Sequence, residues 1–162
     1  MPPKKYILDS LDYQIIQELH ANARISASQI AHKTGSNERT IRKRLDRLIN
    51  DRVFRLTAIL DPEVFGYQTA ADIFLEVAPT HEKQILEQVM RIPEITYIAY
   101  GQGSYEISLQ ARFKSNGELR EFLKHTLPEI QGVKVTRYAL VPRILRNIDE
   151  WFPPKSDFDI QE

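Results

Sequence analysis

The residues best suited to chemistry in this chain are the cations between positions 39 and 55. Arg39, Arg42, Lys43, Arg44, Arg47, Arg52 and Arg55 crowd there, with Thr40 among them and Ser36 and Asn37 just before. Such a cluster suits a polyanion. A guanidinium grips phosphate, or the O6/N7 edge of guanine, with two parallel hydrogen bonds, while an ammonium acts as a point charge. The chain as a whole is neutral, with 22 basic and 22 acidic residues, but the charge is unevenly divided. Residues 1–60 hold 11 basic against 6 acidic side chains, a net +5, which leaves −5 for residues 61–162. That asymmetry implies a polyanion-binding part joined to a part with another task.

Other chemistry is poorly provided for. The absence of cysteine excludes disulfides, thiolate metal sites and cysteine nucleophiles. The four histidines, His20, His32, His81 and His125, have no metal-ligand spacing, and neither a nucleophile–base pair nor a phosphate loop is visible. An enzyme is therefore not expected, nor a metal or cofactor. No apolar run approaches the ~18 residues of a membrane span, and the opening Met-Pro-Pro-Lys-Lys-Tyr has no hydrophobic stretch behind it. The expectation is a soluble cytoplasmic protein with no membrane partner.

The elements that must present the cations are short helices. Asp9 or Ser10 can cap a first helix with an apolar stripe of Leu11, Ile15, Ile16 and Leu19. Ser26 to Gln29 has the form of a capping box, opening a second helix that buries Ala27, Ile30 and Ala31, and Gly35 is placed to end it. Ser36 is the expected cap of a third helix with a buried stripe of Ile41, Leu45, Leu48 and Ile49. Opposite that stripe fall Arg39, Thr40, Lys43 and Arg47, flanked by Arg42 and Arg44. A short helix, a glycine turn and a basic amphipathic helix make a helix-turn-helix, whose second helix enters the DNA major groove. The candidate DNA-binding residues are Ser36, Asn37, Arg39, Thr40, Arg42, Lys43, Arg47 and, from a β-prone wing over Val53–Leu60, Arg55. Double-stranded DNA is the expected partner.

Beyond Asp61-Pro62 and Gly66 the periodicity changes. Strands are expected at Thr69–Val77, Ile95–Tyr100, Tyr105–Phe113 and Val133–Val141, with helices near His81–Arg91 and Asn116–His125. The order βαββαβ is that of the ferredoxin-like sandwich, giving an α+β protein overall. Helices cover one sheet face; the other is expected to expose a wide apolar surface that pairs with a second subunit. The organisation read from the sequence is a DNA-binding domain over 1–60, a hinge over 61–67, a sandwich over 68–152 and a mobile acidic tail over 153–162.

Several short motifs, in order along the chain, resemble the Lrp/AsnC (feast/famine) transcription regulators. They are Leu8-Asp9-Ser10-Leu11-Asp12, Asn22-Ala23-Arg24-Ile25-Ser26 with Ile30-Ala31, Arg44-Leu45-Asp46-Arg47-Leu48-Ile49, Leu60-Asp61-Pro62 with Gly66, Pro93-Glu94-Ile95, and Gly132-Val133. The resemblance implies a winged helix-turn-helix and a sandwich that dimerises through its sheet, with dimers assembling further into tetramers or octamers. It also implies an amino-acid effector held at the turn between the second and third strands. Here that turn offers Gly101, Gly103, Ser104, Tyr105 and Glu106. The family pattern is Gly-Asp-aromatic-Asp, so Ser104 removes one carboxylate and Glu106 lengthens the other. A second departure is Asn50-Asp51-Arg52-Val53, where the family usually has glycine; Asn50 or Asp51 is expected to tolerate the left-handed turn there. The alternatives are a DNA-architectural protein without effector response and a small ferredoxin-like enzyme. A ligand-dependent change in assembly or DNA affinity separates the first of these from a sensor.

Overall fold

The computed structural model describes residues 7–101 and 106–160. The chain divides into two compact units, one made of Met1–Ile59 with Ile148–Glu162 and the other of Leu60–Asn147.

The first unit contains α1 (Ser10–Ala21), α2 (Ala27–Thr34) and α3 (Glu38–Asn50). Asp9 caps α1 by accepting from the Asp12 N–H, and Asp12 returns the bond to the Asp9 N–H, so two free amide donors are satisfied reciprocally. Ser26 and Gln29 form the capping box expected at α2. Gly35 ends that helix at φ 65°, a left-handed conformation costly for any residue with a Cβ. The apolar stripes meet in one core of Ile15, Leu19, Ile30, Ala31, Ile41 and Leu48, sealed by Leu11, Leu45, Val53 and Phe54 among others. Val53 and Phe54 are the end of the packed region. No strand forms over residues 53–60, so these residues do not make the expected wing; Leu56 and Ile59 stand exposed on an irregular segment with no ladder partner among the described residues.

The end of the chain is also part of this unit, contrary to the mobile tail expected. Phe158 is 6% exposed, and its ring meets Tyr13 of α1 edge-on at 4.9 Å. Phe152 packs edge-on against both Tyr13 and His20. The Asp159 N–H donates to the Leu8 carbonyl at 2.7 Å, within a parallel bridge between Asp9 and Asp159. Two phenylalanines outweigh the acidic composition of the segment, because each buries far more apolar area than an exposed carboxylate needs to keep.

The second unit has strands β1 (Thr69–Val77), β2 (Ile95–Tyr100), β3 (Glu106–Phe113) and β4 (Val133–Leu140), with α4 (Glu82–Val89) after β1 and α5 (Asn116–Glu121) after β3. The sheet order is β2-β3-β1-β4 and every pairing is antiparallel. This is the ferredoxin-like arrangement. Alternation sends Ala71, Ile73, Leu75 and Val77 of β1, and Ile107, Leu109, Ala111 and Phe113 of β3, into one core with Ile85, Val89, Leu119 and Phe122. The regular helix expected to run to His125 stops at Glu121 and widens into a π turn over Phe122–Thr126, closed by the Leu127 N–H on the Phe122 carbonyl. The wider turn delivers both Phe122 and Leu127 to the core. Gly132, at φ 86°, lets the chain pass so close that a Cβ there would lie 3.1 Å from that of Ala78, whose N–H donates to the Gly132 carbonyl.

The other sheet face is mixed, not the wide apolar surface expected. The same alternation that buries Ile73 turns Asp72, Phe74 and Glu76 outward beside Ser108 and Gln110. Asp72 accepts from the Gln110 amide, and the Arg137 guanidinium lies 3.5 Å over the Phe74 ring. A shallow cavity of about 330 Å³ on this face is lined by Asp72, Phe74, Tyr97, Gln110, Ile144 and Arg146, among others.

Candidate nucleic-acid interface

The cap of α3 is Asn37, whose side chain accepts from the Thr40 N–H at 2.8 Å, so the helix begins at Glu38. Ser36, expected as the cap, lies one residue earlier, where its own N–H closes α2 on the Ala31 carbonyl at 3.0 Å. The cap therefore fixes both the start of α3 and its rotation about the axis.

That rotation sorts the candidate residues into two groups. Asn37, Arg39, Arg42 and Lys43 are exposed, while Ser36 and Thr40 are half-buried at the edge of the same end of the helix. Arg42 folds back to Glu38 one turn away, at 2.5 Å, which neutralises part of its charge. Arg39 and Lys43, four residues apart, are thus the central cations of the outward face. Arg47 lies about 80° round the helix from Arg39, and it turns toward α1 instead of outward. Its Nη2 donates to Asp12 Oδ2 at 2.5 Å. Arg44, also half-buried, donates through Nη1 to Asp9 at 2.6 Å and to Asp12 at 3.0 Å. Arg55 is exposed on the irregular segment beyond α3.

The pair Asp9 and Asp12 is what reasoning from charge alone missed. Asp12 is fully buried and Asp9 is half-buried, and together they hold two arginines of α3 against the start of α1. Burial by itself would raise the Asp9 carboxyl, but the Asp12 N–H and the Arg44 guanidinium outweigh it and hold the group below its ordinary value of 3.8. The Asp9 carboxylate, with that of Asp12, in turn pushes the Arg44 guanidinium up. A sequence signal existed: two acids three residues apart at a helix start, facing an Arg-x-x-Arg on the helix to be packed.

The α3 turnover into the following segment is a Schellman motif. The Val53 N–H bonds the Leu48 carbonyl at 2.9 Å and the Arg52 N–H bonds the Ile49 carbonyl at 3.0 Å. Arg52 itself, not Asn50 or Asp51, takes the left-handed conformation, at φ 57°.

Of the candidate effector residues, Gly101 and Glu106 are described; Gly103, Ser104 and Tyr105 lie outside the described residues. The Gly101 N–H donates to the Glu106 carbonyl at 2.9 Å, closing the hairpin between β2 and β3. Glu106 is exposed and sits opposite Glu76 of β1.

Comparison with known proteins agrees with this architecture at both units. An AsnC-type helix-turn-helix domain matches residues 8–49, and an Lrp/AsnC ligand binding domain matches residues 71–147. An HTH-type transcriptional regulator of Pyrococcus horikoshii is 30% identical, over 91% of this chain and 92% of its own length. The HTH-type transcriptional regulator FL11 of Pyrococcus furiosus is 30% identical, over 89% of this chain and 95% of its own. Among solved structures, Escherichia coli AsnC superposes with a TM-score of 0.80 at 24% identity, covering 89% of this chain and 99% of that one. A Neisseria meningitidis transcriptional regulator in complex with L-Met superposes at 0.78 with 22% identity, covering 86% and 93%. With a matching domain in each unit and relatives matched along nearly their whole length, this chain belongs to the Lrp/AsnC family of HTH-type transcriptional regulators.

Proposed function

We propose that the chain reads specific double-stranded DNA sites with α3 and changes its DNA affinity or assembly in response to a small molecule, an amino acid. The observation that carries the reading is the outward basic face of α3, where Arg39 and Lys43 have no acidic partner among the described residues, set on a helix that Asp9 and Asp12 anchor from behind. Asn37, Arg39 and Thr40 are the base-reading candidates because they occupy the helix start, the part that reaches deepest into a major groove. Lys43 and Arg42 supply phosphate affinity, with Ser36 and Arg55 at the margins. Arg47 serves as a positioning residue, committed to Asp12.

A homodimer formed through the open sheet face would present two such helices to successive major grooves about one helical turn apart. Exposed Tyr97, the Phe74–Arg137 stack and the exposed apolar side chains of Leu56 and Ile59 support an assembly that covers more than the monomer does. Further association to a tetramer or octamer is part of the same reading. The effector would sit at the Gly101–Glu106 hairpin turn, with Gly103, Ser104 and Tyr105 completing it; backbone N–H groups of such a turn suit an α-carboxylate and Glu106 an α-amino group. The L-Met bound to the Neisseria relative supports the ligand class.

The test is a titration of the chain's own upstream duplex by fluorescence anisotropy, with light-scattering mass recorded in parallel, each with and without the twenty amino acids. Salt-dependent, sequence-selective binding is expected, together with a change in mass or affinity for one amino acid. Equal affinity for operator and random DNA would sink the specificity. A fixed mass and affinity across the whole panel would leave a DNA-architectural protein.

A further inference from the structure

The last residues of the chain meet the DNA-binding unit at one sensitive place. Asp9 is held on two sides. Its backbone forms a bridge with Asp159, next to the 2.7 Å bond from the Asp159 N–H to Leu8. Its carboxylate caps α1 and accepts from Arg44 of α3 at 2.6 Å. Residues 152–159 are pinned by Phe158, buried against Tyr13, and by Phe152, which spans Tyr13 and His20. The chain therefore enters the DNA-binding unit twice, once at each end, with Leu60–Asn147 inserted between.

We propose that residues 152–159 form a latch on the DNA-binding unit, whose docking holds Asp9 in place and through it the Arg44 anchor of α3, so that tail docking and DNA binding are mutually favourable. This rests on the DNA-reading role of α3 proposed above. The physical reason is that a released tail frees the backbone of residues 7–9 and with it the carboxylate that fixes α3 to α1. A helix that wavers about its anchor loses preorganised contacts with DNA. By linkage, whatever factor tail docking adds to DNA affinity, DNA adds to tail docking. Phe158 is a positioning residue in this scheme: it touches no DNA.

The test uses full-length chains carrying Phe158→Ala, Phe158→Leu, Asp9→Asn, and Phe158→Ala with Asp9→Asn. Binding to the upstream duplex is measured by anisotropy across salt concentrations, and amide hydrogen exchange of residues 8–12 and 152–160 is followed with and without that duplex. Phe158→Ala is expected to speed exchange over residues 8–12 and to weaken DNA binding about tenfold, with an unchanged salt slope because no phosphate contact is lost. Phe158→Leu, which refills most of the volume, should recover most of the affinity. The double variant should bind little worse than Asp9→Asn alone, since both act through the same carboxylate, and duplex DNA should slow exchange of the Asp159 amide. Parental exchange over residues 8–12 in Phe158→Ala overturns the latch without reference to DNA. Parental affinity in that variant, with the tail exchanging freely, overturns the coupling. Failure of the parent chain to bind any duplex would instead overturn the function on which the coupling rests.

Discussion

Arg47 of α3 donates to a carboxylate oxygen of Asp12 at 2.5 Å, and that carboxylate is fully buried beneath it. Asp12 also accepts from Arg44 at 3.0 Å, so one buried acid fixes two arginines that charge patterning alone would send toward DNA. A buried carboxylate is tolerable only when paired, and its loss strands the cations it held. Asp12→Ala is expected to destabilise the chain by about 2–3 kcal/mol, below the usual cost of breaking a fully buried pair because the arginines retain contact with water. Urea unfolding followed by the fluorescence of Trp151, the sole tryptophan, reports on this unit. A loss no greater than that of an ordinary surface substitution would mean the pair is incidental.

Asp9 adds a dependence on acid. Its folded carboxyl lies below the ordinary 3.8 despite the opposing effect of burial, because the Asp12 N–H and Arg44 favour the charged form. A lowered folded value means that the unfolded chain takes up the proton first. The stabilisation is therefore complete above the ordinary value and is lost as pH falls through the lowered one. Thermal melts read at Trp151 between about pH 6 and pH 2 should decline more steeply in the parent than in Asp9→Asn. Parallel curves would show that Asp9 does not contribute to the acid response.

The three cations of α3 at positions 39, 43 and 47 should separate cleanly in DNA binding. Arg39→Ala is expected to cost about 1–3 kcal/mol on the operator and to relax specificity at one base pair. Lys43→Ala should weaken operator and random DNA alike and lower the salt slope by about one. Arg47→Ala should leave the salt slope nearly unchanged while lowering stability, because its charge is already committed to Asp12. A full unit of slope lost on Arg47→Ala, with stability intact, would return that residue to the phosphate-binding group.

What was legible in the sequence depended on how local its cause was. The Ser26–Gln29 capping box and the Gly35 turn rest on residues within four positions of each other, and both formed as expected. The βαββαβ order followed from periodicity, and the sheet adopted it. The departures from local pattern share a different cause. Arg47 satisfies the outward stripe by spacing, yet a partner 35 residues away claims it. Val53–Leu60 has strand composition, but a strand needs a neighbour to pair with, and no strand pairs with it among the described residues. Residues 153–162 have the acidic composition of a solvated tail, but Phe158 within them is buried against Tyr13, and Phe152, assigned by sequence to the sandwich, packs on Tyr13 and His20 as well. The open sheet face was misjudged as apolar although Asp72, Glu76, Ser108 and Gln110 alternate with the core residues on the same strands.

Arg52 offers a test of local strain. It sits at φ 57° in the turn that ends α3, where its N–H and that of Val53 close the helix on the Ile49 and Leu48 carbonyls. A left-handed conformation costs a residue with a Cβ about 1–2 kcal/mol, and glycine escapes that cost while losing somewhat more entropy on folding. Arg52→Gly should therefore stabilise the chain modestly, by about 0.5–1 kcal/mol, and Arg52→Val should destabilise it, since a β-branched side chain fits this region worst. The exposed guanidinium at the helix C-terminus offsets part of the gain through its favourable interaction with the helix dipole, so the benefit of glycine should grow as salt is added. Urea unfolding at two salt concentrations reads both effects. If glycine brings no gain and valine no loss, the turn bears no strain at Arg52, and the missing family glycine has cost this chain nothing.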